Sequence, residues 1–261
     1  MVMDMMTSTV ASAIQNKKLI DLHTHILPGI DDGSRDVRTS LLLLREEYAQ
    51  GVGMVVLTPH FYAGAWTPAR FLEKREQALQ ALLSAMNEED DGVFPELITG
   101  AEVLYFEGMS VSPELSGLCI SGTDLLLLEM PYGAWSKRML LEVAGIREKQ
   151  GILPIIAHLD RYAGRGYRTK EILGMDAIIQ LNAASVLNRR LSGWTLNLIK
   201  TGQAKLVASD CHNMDDREPM LGKALRKIER KLGTDTVENL LETEGDLLSD
   251  AKRVKGVKTP L

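Results

Sequence analysis

Short apolar runs, each closed by a polar residue, recur along the chain. Gly51 leads through V-G-M-V-V-L-T-P to His60, and Gly151 through I-L-P-I-I-A to His158. Gly174 leads through M-D-A-I-I-Q-L to Asn182, and Gly202 through Q-A-K-L-V-A-S to Asp210. Glycine ends a helix readily because it accepts the left-handed conformation. Runs that are apolar at consecutive positions imply strands buried on both faces, as in a parallel sheet covered by helices. Residues 19–22 before His23, 97–99 before Glu102 and 125–128 before Glu129 fit the same pattern, making seven predicted strands.

Helical patterns fill the intervals. In 38–50, Leu41, Leu44 and Tyr48 share a face. In 68–87, Thr67 predicts an N-cap and Pro68 the first helical position. Its apolar face carries Phe71, Leu72, Leu79, Leu82, Leu83 and Met86. Further helices are predicted over 136–150, 184–200 and most of 217–252, and 88–95 reads as an acidic surface loop. Strands alternating with helices predict an α/β fold. Parallel barrels place their chemistry at the C-terminal ends of the strands. A barrel would bring seven polar strand ends to one rim; an open doubly wound sheet would not easily do so.

With 261 residues, 45% hydrophobic and 25% charged, the chain suits one globular domain. The net charge of −5 argues against a general affinity for nucleic acid or anionic membrane. Two cysteines, Cys119 and Cys211, form no disulfide framework and fit a reducing compartment. Residues 1–18 lack the basic segment and apolar run of an export signal. They read as a flexible or helical leader before a single domain over 19–261. No run approaches the ~20 apolar residues that span a bilayer. A cytoplasmic protein without membrane insertion is expected.

All five histidines lie in short motifs of ligand type: His23 and His25 in D-L-H-T-H, His60 in T-P-H, His158 in I-I-A-H and His212 in S-D-C-H. A neutral imidazole offers a lone pair near pH 7. Five of them plus carboxylates exceed what one tetrahedral ion can take, so a multinuclear centre and hydrolytic chemistry are expected. His23 and His25 point to the same side of a strand, as do Asp210 and His212. Asp32, in the turn D-D-G, is placed to ligate from a loop. Glu102 is a candidate bridge because a carboxylate offers two oxygens. Glu129 closes a fully apolar strand, where its charge needs a cation or hydrogen bonds. Glu107 and Glu114 read as surface residues.

Arg161, with Arg165 and Arg168 behind it, follows His158, and Arg217 follows His212. Guanidinium groups suit phosphate because they bind it bidentately. Cys211 and Arg217 match the C-x5-R spacing of thiolate phosphatases. The intervening H-N-M-D-D has no glycine and two acids that repel an anion, so Cys211 reads instead as a small buried side chain.

Together, D-L-H-T-H…G-I-D-D-G-S, T-P-H, G-A-E, L-L-E, I-I-A-H-L-D-R-Y and A-S-D-C-H-N resemble the PHP (polymerase and histidinol phosphatase) superfamily. They are most similar to its bacterial manganese-dependent protein-tyrosine phosphatase branch, of the CpsB/YwqE type. The resemblance runs from about Leu19 to Arg217. It implies a distorted, TIM-like (β/α)7 barrel and a phosphoric monoester hydrolase with three divalent ions, manganese first, with iron or zinc compatible. His23, His25, Glu102 and Asp210 would hold one ion. Asp32, His60 and His212 would hold a second. Glu102, Glu129 and His158 would hold the third. Arg161 and Arg217 would orient the phosphate. The implied partner is the phosphotyrosine tail of a tyrosine autokinase controlling capsule or exopolysaccharide synthesis. Phe61 and Tyr62 stand where many members carry histidine or basic residues. The rival readings are a small-molecule phosphatase acting on histidinol phosphate, a nuclease, and a non-catalytic module.

Overall fold

The computed structural model describes residues 8–89, 93–163 and 167–255. It is a mixed α/β protein whose named strands all pair in parallel. One sheet runs β1 (Leu19–Thr24), β2 (Val52–Leu57) and β4 (Glu96–Thr99). The other runs β3 (His60–Phe61), β5 (Glu102–Leu104), β6 (Leu125–Glu129), β7 (Leu153–Ile156), β8 (Ile178–Asn182) and β9 (Leu206–Ala208). All seven predicted strands are present. The two additional ones continue β2 past Thr58–Pro59 and β4 past Gly100–Ala101. Proline lacks the N–H a ladder needs, which accounts for the first break.

β9 and β1 also meet. Asp210 N–H donates to His23 O at 2.9 Å, His25 N–H donates to Cys211 O at 2.9 Å, and Thr24 bridges Cys211 in parallel. The consecutive leucines of β6 are buried on both faces, as the unbroken apolar run predicted.

Helices follow the strands: α2 (Val37–Ala49), α3 (Pro68–Glu88), α4 (Lys137–Gln150), α5 (Thr169–Leu173), α6 (Ala183–Leu187), α7 (Ser192–Lys200), α8 (Leu221–Leu232) and α9 (Thr234–Leu247). Thr67 caps α3 as expected, its hydroxyl accepting from Arg70 N–H at 3.3 Å. The helix predicted over 184–200 is two. Asn188 Oδ1 accepts from the N–H groups of Arg190 and Leu191, giving the backbone an alternative to continued helix. The segment 217–252 divides at Gly233 (φ +96°). Of the four glycines read as left-handed stops, Gly174 is not one (φ −94°). The predicted loop 88–95 falls partly at 90–92, and Arg165 at 164–166, outside the described residues.

The leader carries α1 (Thr9–Gln15). Val10 and Ala13 are buried, and Ser8 Oγ donates to Glu229 on α8 at 2.5 Å. A Cβ at Gly51 would lie 2.3 Å from Ile14 Cα, so this close approach requires glycine.

Candidate metal centre

Nine side chains named from the sequence converge at one end of the strands and in the turns that follow. The histidine rings form a connected set, with centroids 3.9 Å apart for His25–His212, 4.5 Å for His25–His60, 5.2 Å for His23–His25 and 5.6 Å for His23–His158. Glu102 lies at the middle. Its Oε2 is 3.3 Å from His23 Nε2, 3.2 Å from His25 Nε2 and 3.0 Å from His60 Nδ1, while its Oε1 is 2.6 Å from His158 Nε2.

Four sets of donors are close enough to share an ion. They are His25–Asp32–His60–His212, His23–His25–Asp210, His23–Glu102–His158 and His60–Glu102–Glu129. The expected third set of Glu102, Glu129 and His158 is divided between two of these. Glu129 Oε1 still lies 3.6 Å from His158 Nε2.

Several polar atoms are buried here without a hydrogen bond: Glu102 Oε2, His60 Nδ1, His158 Nδ1 and His212 Nε2. Buried polar atoms are almost always satisfied. Three of these four, Glu102 Oε2, His60 Nδ1 and His212 Nε2, are donor atoms within the candidate sets, so the residues fit a cation.

The surroundings orient these donors. His23 Nδ1 faces Gln180 Oε1 at 3.3 Å, His25 Nδ1 faces Asp31 Oδ2 at 2.8 Å, and His212 Nδ1 faces Asp210 O at 3.0 Å. In each ring, a proton on Nδ1 leaves the Nε2 lone pair turned to the centre, the usual arrangement around a metal. Asp31 also accepts from His60 N–H at 3.0 Å, and Gln180 from His158 N–H at 2.6 Å. Asn182 Nδ2 donates to Asp210 Oδ2 at 2.7 Å.

Sequence reasoning selected neither Asp31 nor Gln180, and named Asn182 only as the polar end of a strand. Asp31 adjoins the chosen Asp32. Gln180 and Asn182 are polar residues at i, i+2 in the otherwise apolar β8, a usable signal.

Local backbone shape serves the same end. His158 (φ +32°) and Asp210 (φ +56°) are left-handed without being glycine. Such a residue costs about 1–2 kcal/mol, and both lie among the candidate donors. At Gly33 a Cβ would lie 2.3 Å from His25 O, so only glycine lets the D-D-G turn fold back over the strand end.

Electrostatics follow from these contacts. Burial opposes the charge on His25, yet the hydrogen bond to Asp31 and the negative charges of Asp31 and Glu102 prevail and raise its pKa to about 9. Burial likewise opposes the charge on Asp31, but His25 brings it down to about 2. Burial, then the Glu102 charge, pushes Glu129 up to about 7. Asp32 differs in being 65% exposed at its side chain, with Oδ1 3.4 Å from His60 Nε2 and 3.5 Å from His212 Nε2.

Both arginines reach the centre through Asp210. Arg217 Nη2 lies 2.8 Å from Asp210 Oδ1, and Arg161 Nη2 bonds Asp210 Oδ2. Arg161 Nη1 is also 3.6 Å from Glu129 Oε1. Tyr62 stacks on His60 at 5.1 Å and is 38% exposed. Glu107 and Glu114 are exposed, away from the cluster. Cys211 is buried and turns its Sγ to Glu47 Oε1 at 3.5 Å, not to the centre.

Fold and donors together describe a parallel-sheet α/β protein with a candidate multinuclear metal centre at its strand ends. Residues 19–248 match the family model for capsular polysaccharide synthesis, CpsB/CapC, and the chain belongs to that family. It is 28% identical over 236 residues to the tyrosine-protein phosphatase CpsB of Streptococcus agalactiae, covering 85% of this chain and 94% of that protein. It is 26% identical over 242 residues to the tyrosine-protein phosphatase YwqE of Bacillus subtilis, covering 88% and 91%.

A solved structure from the study of Bacillus subtilis YwqE and Streptococcus pneumoniae CpsB, described as unique metal-dependent tyrosine phosphatases, superposes with a TM-score of 0.75. Identity there is 25%, covering 93% of this chain and 99% of that one. A β-aspartyl dipeptidase of Fervidobacterium islandicum AW-1 shares the fold alone, with a TM-score of 0.52 at 17% identity, covering 92% and 76%. No described helix is long and apolar enough to cross a membrane.

Proposed function

We propose that this chain is a metal-dependent protein-tyrosine phosphatase, a phosphoric monoester hydrolase acting in capsular polysaccharide synthesis. The observation that carries the reading is Glu102: a fully buried carboxylate within 3.3 Å of four imidazoles, with one oxygen making no hydrogen bond. The curated relatives named tyrosine-protein phosphatases and the metal-dependent phosphatase structure support the substrate and the cofactor class.

The finer reading is a distorted (β/α)7 barrel over 19–261, in which β2 with β3, and β4 with β5, count as single strands. The backbone bonds between β9 and β1 support it. We assign three divalent ions, manganese by preference, since imidazole and carboxylate donors suit it and also admit iron or zinc. His23, His25, Asp210 and Glu102 hold the first. Asp32, His60 and His212 hold the second. Glu102, Glu129 and His158 hold the third. The assigned substrate is the phosphotyrosine tail of a tyrosine autokinase, in the cytoplasm.

Bound divalent cations would bring the pKa of a water towards neutrality and neutralise phosphoryl oxygens. The chain supplies the rest. Asp210 gathers Arg161 and Arg217 so that two guanidinium groups stand at the mouth, placed to bind phosphoryl oxygens and stabilise their charge. The tyrosine oxygen leaves as a phenol, whose pKa of about 10 makes it an easy leaving group. No thiolate takes part. Burial pushes the Cys211 thiol well up, and its Sγ faces away.

Turnover of a phosphotyrosine peptide beside histidinol phosphate, after chelation and after adding Mn²⁺, tests the reading. Chelation should abolish peptide hydrolysis, Mn²⁺ should restore it, and His158→Ala should not recover. Preferential hydrolysis of histidinol phosphate would overturn the tyrosine assignment.

A further inference from the structure

A positive surface that the chemistry does not use lies on α8, which begins four residues after Arg217. Helix α8 carries Lys223, Arg226, Lys227, Arg230 and Lys231. Positions 223, 226, 227 and 230 share one helix face. The opposite face, with Leu221, Ala224, Leu225 and Ile228, is buried in the core. Glu229, the one acid on α8, is turned to the leader, where it accepts from Ser8 Oγ and Val10 N–H. Arg189 and Arg190 add to the surface from the α6–α7 connection, because Lys227 Nζ reaches the Leu187 carbonyl at 3.5 Å. Among the described residues, only Lys223 of these seven cations has a carboxylate within 4.0 Å, that of Glu218 at 3.3 Å. In a chain of net charge −5, such a concentration without counter-charges is unexpected.

Two connections tie this surface to the centre. Leu191, next to Arg190, lines a cavity of about 370 Å³ together with Tyr132, Asp160, Arg161 and Ala163. Glu218, the partner of Lys223, adjoins Arg217. Each of the two arginines is thus linked to the surface through one neighbour, Arg161 through Leu191 and Arg217 through Glu218.

We infer that this surface holds acidic residues flanking the phosphotyrosine, so that the substrate class is an acidic phosphotyrosine peptide. The inference rests on the phosphatase reading. The stripe is narrow and linear. Lys223 to Arg230 spans about 10 Å at ~1.5 Å per residue. About three residues of extended peptide cover that length at ~3.3 Å each. An anionic membrane fits less well. Peripheral binding draws on an exposed apolar face, and no large apolar side chain is exposed on α8 or at Arg189 and Arg190.

The test uses two phosphotyrosine peptides, one with acidic flanks and one with neutral flanks, hydrolysed by the Mn²⁺-loaded enzyme. At low salt the acidic peptide should show a KM roughly tenfold lower, and the advantage should shrink at high salt. The variant R226Q/K227Q/R230Q should remove most of it. Turnover of p-nitrophenyl phosphate, which has no flanks, should stay unchanged. Equal KM values for the two peptides in the wild type, or an equal loss for both in the variant, would overturn the inference. So would flotation on phosphatidylserine vesicles without a peptide preference, which would assign the surface to lipid. If neither peptide is hydrolysed, the phosphatase reading falls. Fluorescence anisotropy with the same peptides then reads the docking alone, and equal Kd values would end it.

Discussion

Two groups of buried acids are shifted in opposite directions: Glu102 and Asp210 on the rim, and Asp21 on β1 with Glu47 on α2 behind it. On the rim, burial opposes ionisation of Glu102 and Asp210, but neighbouring imidazoles, and for Asp210 also Arg161, hold both well below the ordinary carboxylate range. Behind the rim, burial raises Asp21 and Glu47, and the Asp21 charge raises Glu47 further. Their contacts are uncharged. Asp21 accepts from the N–H groups of Ser209 and His23, while Glu47 is approached by the Ser209 hydroxyl and the Cys211 thiol. One segment supplies both sides. Ser209 and Cys211 face Asp21 and Glu47, while Asp210 and His212 face the rim. Equal burial thus leads to opposite outcomes, and the charge of the neighbours decides between them.

The largest effect should come from removing a rim donor. His25→Ala is expected to lower kcat/KM for a phosphotyrosine peptide roughly 100- to 1,000-fold, the several kcal/mol of charge stabilisation at stake. It should also reduce the metal bound per chain, read by elemental analysis. Full activity and full metal content would show that the rim is not a cation cage.

Next come the orienting residues. Asp31→Asn and Gln180→Leu are expected to weaken metal affinity about 10- to 100-fold. A titration of activity against Mn²⁺ should show the midpoint moved with the maximum largely recovered. An unmoved midpoint would make these contacts incidental.

The group behind the rim answers to pH instead. The folded pKa of Glu47 is raised, so its contribution to stability is present at low pH and is lost as pH rises through that value. Glu47→Gln should therefore match the wild type in thermal unfolding near pH 5 and exceed it near pH 9. The opposite ordering would mean that Glu47 is ionised in the fold. The smallest effect is expected for Cys211→Ser, which should leave kcat/KM unchanged. An inactive but folded variant would return the thiol to the chemistry.

What the amino-acid order determined by itself was the set of elements and the list of chemical donors. Consecutive apolar positions cannot sit in a half-exposed strand, so the runs ending at His60, Glu129 and His158 could be read as buried parallel strands. A histidine or carboxylate ending such a run needs a partner, and that need is visible without coordinates. The tertiary structure decided what a linear pattern cannot carry. It brought Glu102 between imidazoles from β1, from β3 and from the turn after β7, and it divided Glu129 and His158 between neighbouring donor sets. It made Asp31 and Gln180 the orienting partners, because those roles depend on which ring nitrogen faces which neighbour. It also placed leader helix α1 in the core, since Val10 and Ala13 acquire a buried face only once α8 and α9 are there to receive them. Side-chain type and spacing are local properties, whereas coordination, protonation and burial depend on what else arrives at the same point in space.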